Sequence, residues 1–120
     1  MANFYRSEDR TVLLELFGAG SSVDGLKNLK ANTSDGAVEK HLPVVTQEGN
    51  QITVVVSSVE HPMLPEHYIM GVYIETKNGG QLYKFQPGDT PKAVFTLADG
   101  DEFIAAYEYC NLHGLWKAEK

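Results

Sequence analysis

The chain has 120 residues, of which 42% are hydrophobic and 22% charged, and a formal net charge of −6. That length suits about one domain with a real core. No apolar run approaches the roughly 20 residues of a membrane span, and the Lys and Arg residues are too scattered for a nucleic-acid stripe. The single cysteine, Cys110, excludes an intramolecular disulfide and any Cys-rich metal site built by this chain alone.

The N-terminus, MANFYRSEDR, is polar and charged. It lacks the basic-then-apolar plan of a signal peptide, so a cytoplasmic location is expected. Residues 1–37 read as a separate segment without His or Cys. Within it Thr11 to Phe17 (TVLLELF) suits a strand or a short helix, and Gly18-Ala19-Gly20-Ser21-Ser22 and Asp35-Gly36 suit a loop and a turn.

From residue 38 to 120 the pattern is β. Leu42 to Thr46 reads as a short strand that His41 opens. Gln51 to Val59 is rich in β-branched residues, which suit a pleated sheet. Tyr68 to Thr76 alternates, and Asn78-Gly79-Gly80 predicts a hairpin into Gln81 to Phe85. Gln86-Pro87-Gly88-Asp89 is a further turn. Ala93 to Ala98 and Glu102 to Tyr109 follow as strands, separated by Asp99-Gly100. About seven short strands at this spacing predict an all-β, immunoglobulin-like sandwich.

The chemistry-bearing residues are few and well placed. His61 and His67 bracket His-Pro-Met-Leu-Pro-Glu-His, whose two prolines stiffen the loop. Cys110 and His113 form Cys-Asn-Leu-His at the end of a strand, a spacing that brings a thiolate and an imidazole to one ion. His41 completes the set. A single histidine is most often a surface or satisfied core residue, but the only cysteine and three of four histidines in strand-end or loop motifs favour a metal. Imidazole suits Zn, Cu, Fe and Ni, and thiolate adds softness. Structural zinc is commonly a closed tetrahedron with two or more thiolates. Four imidazoles and one thiolate are one ligand too many. Five such ligands suit a square pyramid with a thiolate apex and a vacant position opposite the sulfur, where a redox metal would meet a small substrate. Tyr109 to His113 is also compatible with a cupredoxin-like copper loop. Such loops usually carry a methionine soon after the second histidine, and GLWKAEK at residues 114–120 has none.

Three stretches carry a family resemblance. Glu39 to Val44 (EKHLPV), His61 to Met63 with His67 to Ile69, and Glu108 to Lys117 (EYCNLHGLWK) closely resemble the superoxide reductases of the neelaredoxin and desulfoferrodoxin family. Phe85 to Asp89 followed by Pro91 also resembles that family's proline-glycine loop. The resemblance implies an immunoglobulin-like sandwich or barrel with one mononuclear non-haem iron, cycling between Fe2+ and Fe3+. It implies His41, His61 and His67 as ligands through Nε2, His113 through Nδ1, and Cys110 as the axial thiolate. It implies Glu39 as the carboxylate that meets the oxidised iron, and Lys40 as the cation that attracts superoxide. The implied reaction is one-electron reduction of superoxide to hydrogen peroxide. The electron would come from an external donor such as rubredoxin, and the protein is expected to be a homo-oligomer. Residues 1–37 resemble the remains of a desulforedoxin-like domain whose four iron-binding cysteines are all absent.

Overall fold

The computed structural model describes all residues 1–120. The chain falls into two compact units, Met1–Lys30 and Ala31–Lys120.

The first unit is a three-stranded antiparallel sheet in the order β2-β1-β3, formed by β1 (Phe4–Arg6), β2 (Val12–Leu14) and β3 (Lys27–Leu29). TVLLELF is therefore a strand, but a short one. It stops at Glu15 because that carboxylate turns inward as the unit's hydrogen-bond hub. Glu15 accepts from the Tyr5 hydroxyl at 3.1 Å and from the Gly20 amide at 3.1 Å.

The second unit opens with one helical turn, α1 (Val38–His41). The strands are β4 (Pro43–Glu48), β5 (Gln51–Val56), β6 (Ile69–Thr76), β7 (Gly79–Lys84), β8 (Lys92–Thr96), β9 (Phe103–Cys110) and β10 (Gly114–Glu119). They make two antiparallel sheets, β10-β9-β6-β7 and β4-β5-β8, which is the expected seven-stranded sandwich. Alternation sets the inner face. Ile52, Val54 and Val56 of β5 and Ala93 and Phe95 of β8 are buried, and they meet Ile69, Val72, Ile74 and Ala106 of the other sheet in one core.

Three details differ from the expected strands. His41 ends α1 rather than opening β4, because Leu42 precedes a proline and is held extended at φ −66°, ψ 126°. β5 ends at Val56, since the Ser57 hydroxyl turns away to donate to the Glu39 carbonyl at 2.6 Å. β10 was not anticipated. It begins at a glycine and ends in charged residues, yet it pairs with β9 along its whole length, from Gly114 opposite Cys110 to Glu119 opposite Ala105.

One irregularity positions chemistry. Ile69 pairs with Cys110 and Gly71 with Tyr109, so β6 carries an extra residue, Met70, as a bulge beside the cysteine. Gly71 then lies so close to β7 that an added Cβ would stand 2.7 Å from the Tyr83 carbonyl oxygen. Gly71→Ala is therefore expected to destabilise the fold by about 1–3 kcal/mol, as overpacking against backbone does. A denaturant midpoint equal to that of the native chain would refute this account of the bulge.

Candidate metal centre

Four short structures deliver the five residues singled out by sequence. α1 carries His41, the β5–β6 loop carries His61 and His67, β9 ends on Cys110, and the following turn carries His113. The ligating atoms of His41, His61, His67 and Cys110 all lie within 4.8 Å of one another. His41, His61 and Cys110 are buried.

The four imidazoles close a ring. Centroids are 4.8 Å apart for His41–His61, 4.8 Å for His61–His67, 5.1 Å for His67–His113 and 4.9 Å for His113–His41. Each neighbouring pair is edge-on, with interplanar angles between 65° and 79°. Trp116 stacks on His41 at 5.0 Å and 21°, and its indole N–H donates to the His113 carbonyl at 3.0 Å. The tryptophan thus supports two corners of the ring, a role that its apolar character did not announce in the sequence.

Backbone carbonyls fix the ring orientations. His41 Nδ1 donates to the Ala37 carbonyl at 2.8 Å, and His61 Nδ1 donates to the Pro62 carbonyl at 2.6 Å. Each neutral imidazole has one N–H, so spending it at Nδ1 leaves a lone pair at Nε2. These two Nε2 atoms face each other at 3.2 Å, and His61 Nε2 lies 3.6 Å from the Cys110 sulfur. His67 Nε2 is buried with no hydrogen-bond partner. Buried acceptors aimed at one another are costly unless a cation lies between them. This donor set, imidazole nitrogens plus one sulfur, fits a transition metal.

His113 is placed differently. Its ring is the fourth corner, but its Nδ1 lies 2.6 Å from the Asp35 carbonyl. Gly36 follows, and an added Cβ there would stand 3.1 Å from His41 Cε1 and 3.2 Å from His113 Cβ. Residues 35 and 36, which carry no ligand chemistry, therefore set the spacing of two imidazoles.

The loops are tied together. Leu64 and His67 exchange two backbone hydrogen bonds of 3.0 Å, closing a tight turn around Pro65. Asn111 bridges from the cysteine turn. Its side-chain oxygen accepts from the Tyr68 amide at 2.9 Å and its side-chain N–H donates to the Glu66 carbonyl at 3.1 Å. His67 is thus clamped on both sides by the residue that follows Cys110. The sequence showed Asn111 only as part of the Cys-Asn-Leu-His spacing.

Burial governs the electrostatics. Desolvation lowers His41, His61 and His67 below the ordinary imidazole value, His61 to about 4. Lys40, exposed on α1, adds a smaller effect in the same direction on His41 and His67, which puts its charge beside the cluster. Burial pushes the Cys110 thiol up, while backbone amides of Leu112 and His113 pull it part of the way back. Glu108, buried opposite Val72 and Trp116, is held well above the usual carboxyl range by desolvation. Burial therefore favours its neutral form, which lowers the charge held beside the sulfur. The Glu39 side chain is exposed, and its carbonyl receives the Ser57 and Ser58 hydroxyls.

The desulfoferrodoxin family pattern matches residues 33–119. A desulfoferrodoxin of Clostridium acetobutylicum is 40% identical over 114 residues, covering 91% of this chain and 88% of that protein. One from Nitratidesulfovibrio vulgaris is 47% identical over 96 residues, covering 78% and 73%. The crystal structure of the superoxide reductase from Treponema pallidum superposes with a TM-score of 0.80 at 39% identity, over 97% of this chain and 98% of that one.

Two outcomes are expected. Unfolded imidazoles take up protons near pH 6.5, whereas His61 does so only near 4 when folded. The unfolded chain thus binds more protons in that window, and the metal-free protein should lose stability as the pH falls from 6.5 towards 4. Denaturant titrations at pH 7 and pH 5 that give equal stability would contradict this. Second, Asn111→Ala should weaken metal retention by about 10–100-fold, as loss of a ligand-orienting hydrogen bond does. Metal release to a chelator is the measurement, and an unchanged rate would remove Asn111 from this role.

Proposed function

The chain belongs to the desulfoferrodoxin and superoxide reductase family, and from that premise we propose how its imidazole ring and buried sulfur reduce superoxide to hydrogen peroxide. The protein is a superoxide reductase. The observation that carries this reading is the pair of inward Nε2 lone pairs, on His41 and His61, facing each other at 3.2 Å beside the Cys110 sulfur.

We assign His41, His61, His67 and Cys110 as ligands of one mononuclear iron, with His113 as the fourth imidazole. A half-turn of the His113 ring about Cβ–Cγ exchanges Nδ1 with Cδ2 and turns that nitrogen from Asp35 to the interior. The iron, when bound, supplies the single electron, and superoxide, one electron and two protons give hydrogen peroxide. The protein's own groups do the rest. Three imidazoles held neutral by burial present lone pairs at pH 7 without competition from protons. Lys40 supplies the local positive charge that draws in the anion, and it polarises water as a proton source. Glu39, its neighbour on α1, offers a carboxylate that helps expel the product.

Four imidazoles in one ring favour this reading over a cupredoxin-like copper carrier, which would leave some of them idle. With one metal-ligating cluster in the chain, the electron comes from outside, and a rubredoxin-like protein is the proposed donor. The assembly is proposed to be a homo-oligomer in the cytoplasm. No helix is long and apolar enough to cross a membrane. We also read the first 37 residues as the remnant of a desulforedoxin-like domain without its cysteines.

The test is rapid mixing of the reduced, iron-loaded protein with superoxide. One equivalent should oxidise the centre and yield peroxide, and a centre that stays reduced would end the proposal. Lys40→Ala should keep its iron but react about tenfold more slowly at low salt, with the difference shrinking as salt is raised. Full speed at low salt would show that Lys40 does not steer the substrate.

A further inference from the structure

The three-stranded sheet of the first unit has two edges, β2 and β3, and they are built differently. β3 (Lys-Asn-Leu) begins on Lys27, and Lys30 follows it. Lysines on an edge strand discourage pairing with another chain. β2 (Val-Leu-Leu) holds neither a charge nor a proline, so its own residues do not guard it.

The hydrogen-bond alternation shows which backbone groups β2 leaves open. The Ser7 amide donates to the Thr11 carbonyl at 3.0 Å, and the Glu15 amide donates to the Asn3 carbonyl at 2.9 Å. Midway between these two bonds Leu13 stands opposite Tyr5. Bonded and non-bonded pairs alternate along an antiparallel ladder, so Leu13 directs its amide and carbonyl at β1. Val12 and Leu14 direct theirs the other way, out of the sheet. They flank Leu13 symmetrically, which is the spacing an identical antiparallel strand requires. Val12 of one copy would pair with Leu14 of the partner subunit, and the reverse.

The side chains beside this edge are apolar and open. Leu13 is 40% exposed, Leu16 76% and Phe17 96%, within five residues of chain. A phenyl ring that its own chain leaves uncovered marks a contact surface more often than a solvated one. Charge selects the occupant. Residues 1–30 carry four cations and four acids and are formally neutral, whereas residues 31–120 carry the whole net charge of −6. Two copies of an acidic chain repel least through the parts that are neutral.

On the homo-oligomeric reading given above, we propose that β2 is the seam of a twofold dimer of this chain. Two β2 strands pair antiparallel about an axis at Leu13 and join two three-stranded sheets into one of six strands. Val12 and Leu14 exchange amide-to-carbonyl hydrogen bonds across the seam. The two Leu13 side chains meet at the close spacing of a non-bonded pair. Leu16 and Phe17 extend the apolar contact past the end of the strand. Such an interface is isologous, so a charge placed on its axis meets its own image.

The test is sedimentation of the iron-loaded full-length protein over a concentration series, for the native chain and for Leu13→Lys, Leu13→Asp and Phe17→Ser. All three positions are exposed, and circular dichroism with the visible spectrum checks that each variant is folded. The native chain should be a dimer. Leu13→Lys and Leu13→Asp should each be monomeric alone, and an equimolar mixture of the two should be dimeric again, because opposite charges then meet on the axis. Phe17→Ser should raise the dissociation constant on the order of tenfold. Dimers that persist in both Leu13 variants would overturn the proposal and leave the homo-oligomeric reading standing. A native chain that is monomeric at every concentration would end both. Leu13 variants that remain monomeric when mixed would also overturn the pairing at this axis.

Discussion

The second unit is organised around lone pairs that cannot share a proton. The carbonyls of Ala37 and Pro62 take the Nδ1 hydrogens of His41 and His61, and this forces both Nε2 atoms to be acceptors. They then face each other and a sulfur in a buried space. Water-filled protein surfaces tolerate such crowding, but an interior does not. The fold therefore holds a site whose polar atoms are complementary to a cation rather than to one another. Everything that keeps those acceptors in place, from the one-turn helix to the Asn111 clamp, serves that mismatch.

The sandwich supplies the rigidity that the mismatch needs. Cys110 is the last residue of β9 and pairs on one side with Ile69 and on the other with Gly114. The sulfur is consequently anchored between β6 and β10, with fully buried Ile69 beside it. The histidines lie on shorter pieces, and each piece is tied to a neighbour. Glu39 of α1 receives Ser57, Ser58 and the Val59 amide through its carbonyl. The loop between His61 and His67 bonds to itself at Leu64 and to Gly88 through the Met63 carbonyl at 2.7 Å. Preorganisation of this kind lowers the ordering cost of metal binding, because His41, His61, His67 and Cys110 are already gathered.

Much of this was legible in the sequence, for identifiable reasons. Strands β5 and β8 follow their alternation, since one face is buried and a register slip would expose it, whereas β6 changes phase at the Met70 bulge and buries Ile69 with Val72 and Ile74. The candidate metal residues stood out because cysteine is single, histidine is scarce, and proline and turn residues frame them, and four of the five, His41, His61, His67 and Cys110, meet in one cluster. What escaped is what depends on contacts distant in sequence. Asp35 and Gly36 lie in a stretch with no ligand chemistry, yet they space His41 and His113. Trp116 reads as core and is buried, but only the fold stacks it on His41. The β10 strand hid behind a glycine and charged residues, since its order comes from pairing with β9 rather than from its own pattern. The orientation of a ring nitrogen, as at His113, is set by a carbonyl 78 residues away and leaves no trace in local spacing.

The charge distribution resolves an apparent conflict between an acidic protein and an anionic substrate. The net charge of −6 belongs to residues 31–120, the unit that holds the centre. Most of those carboxylates are exposed, and the Debye length of about 8 Å at physiological salt screens those that are remote. The one carboxyl buried near the sulfur, Glu108, is shifted towards its neutral form by desolvation. At short range Glu66 acts on His67, and Lys40 acts with the opposite sign on both His41 and His67. A bound ferrous ion with one thiolate would add to Lys40 with the same sign. On the proposed reading, approach of a small anion is governed by a few local charges rather than by the acidic surface.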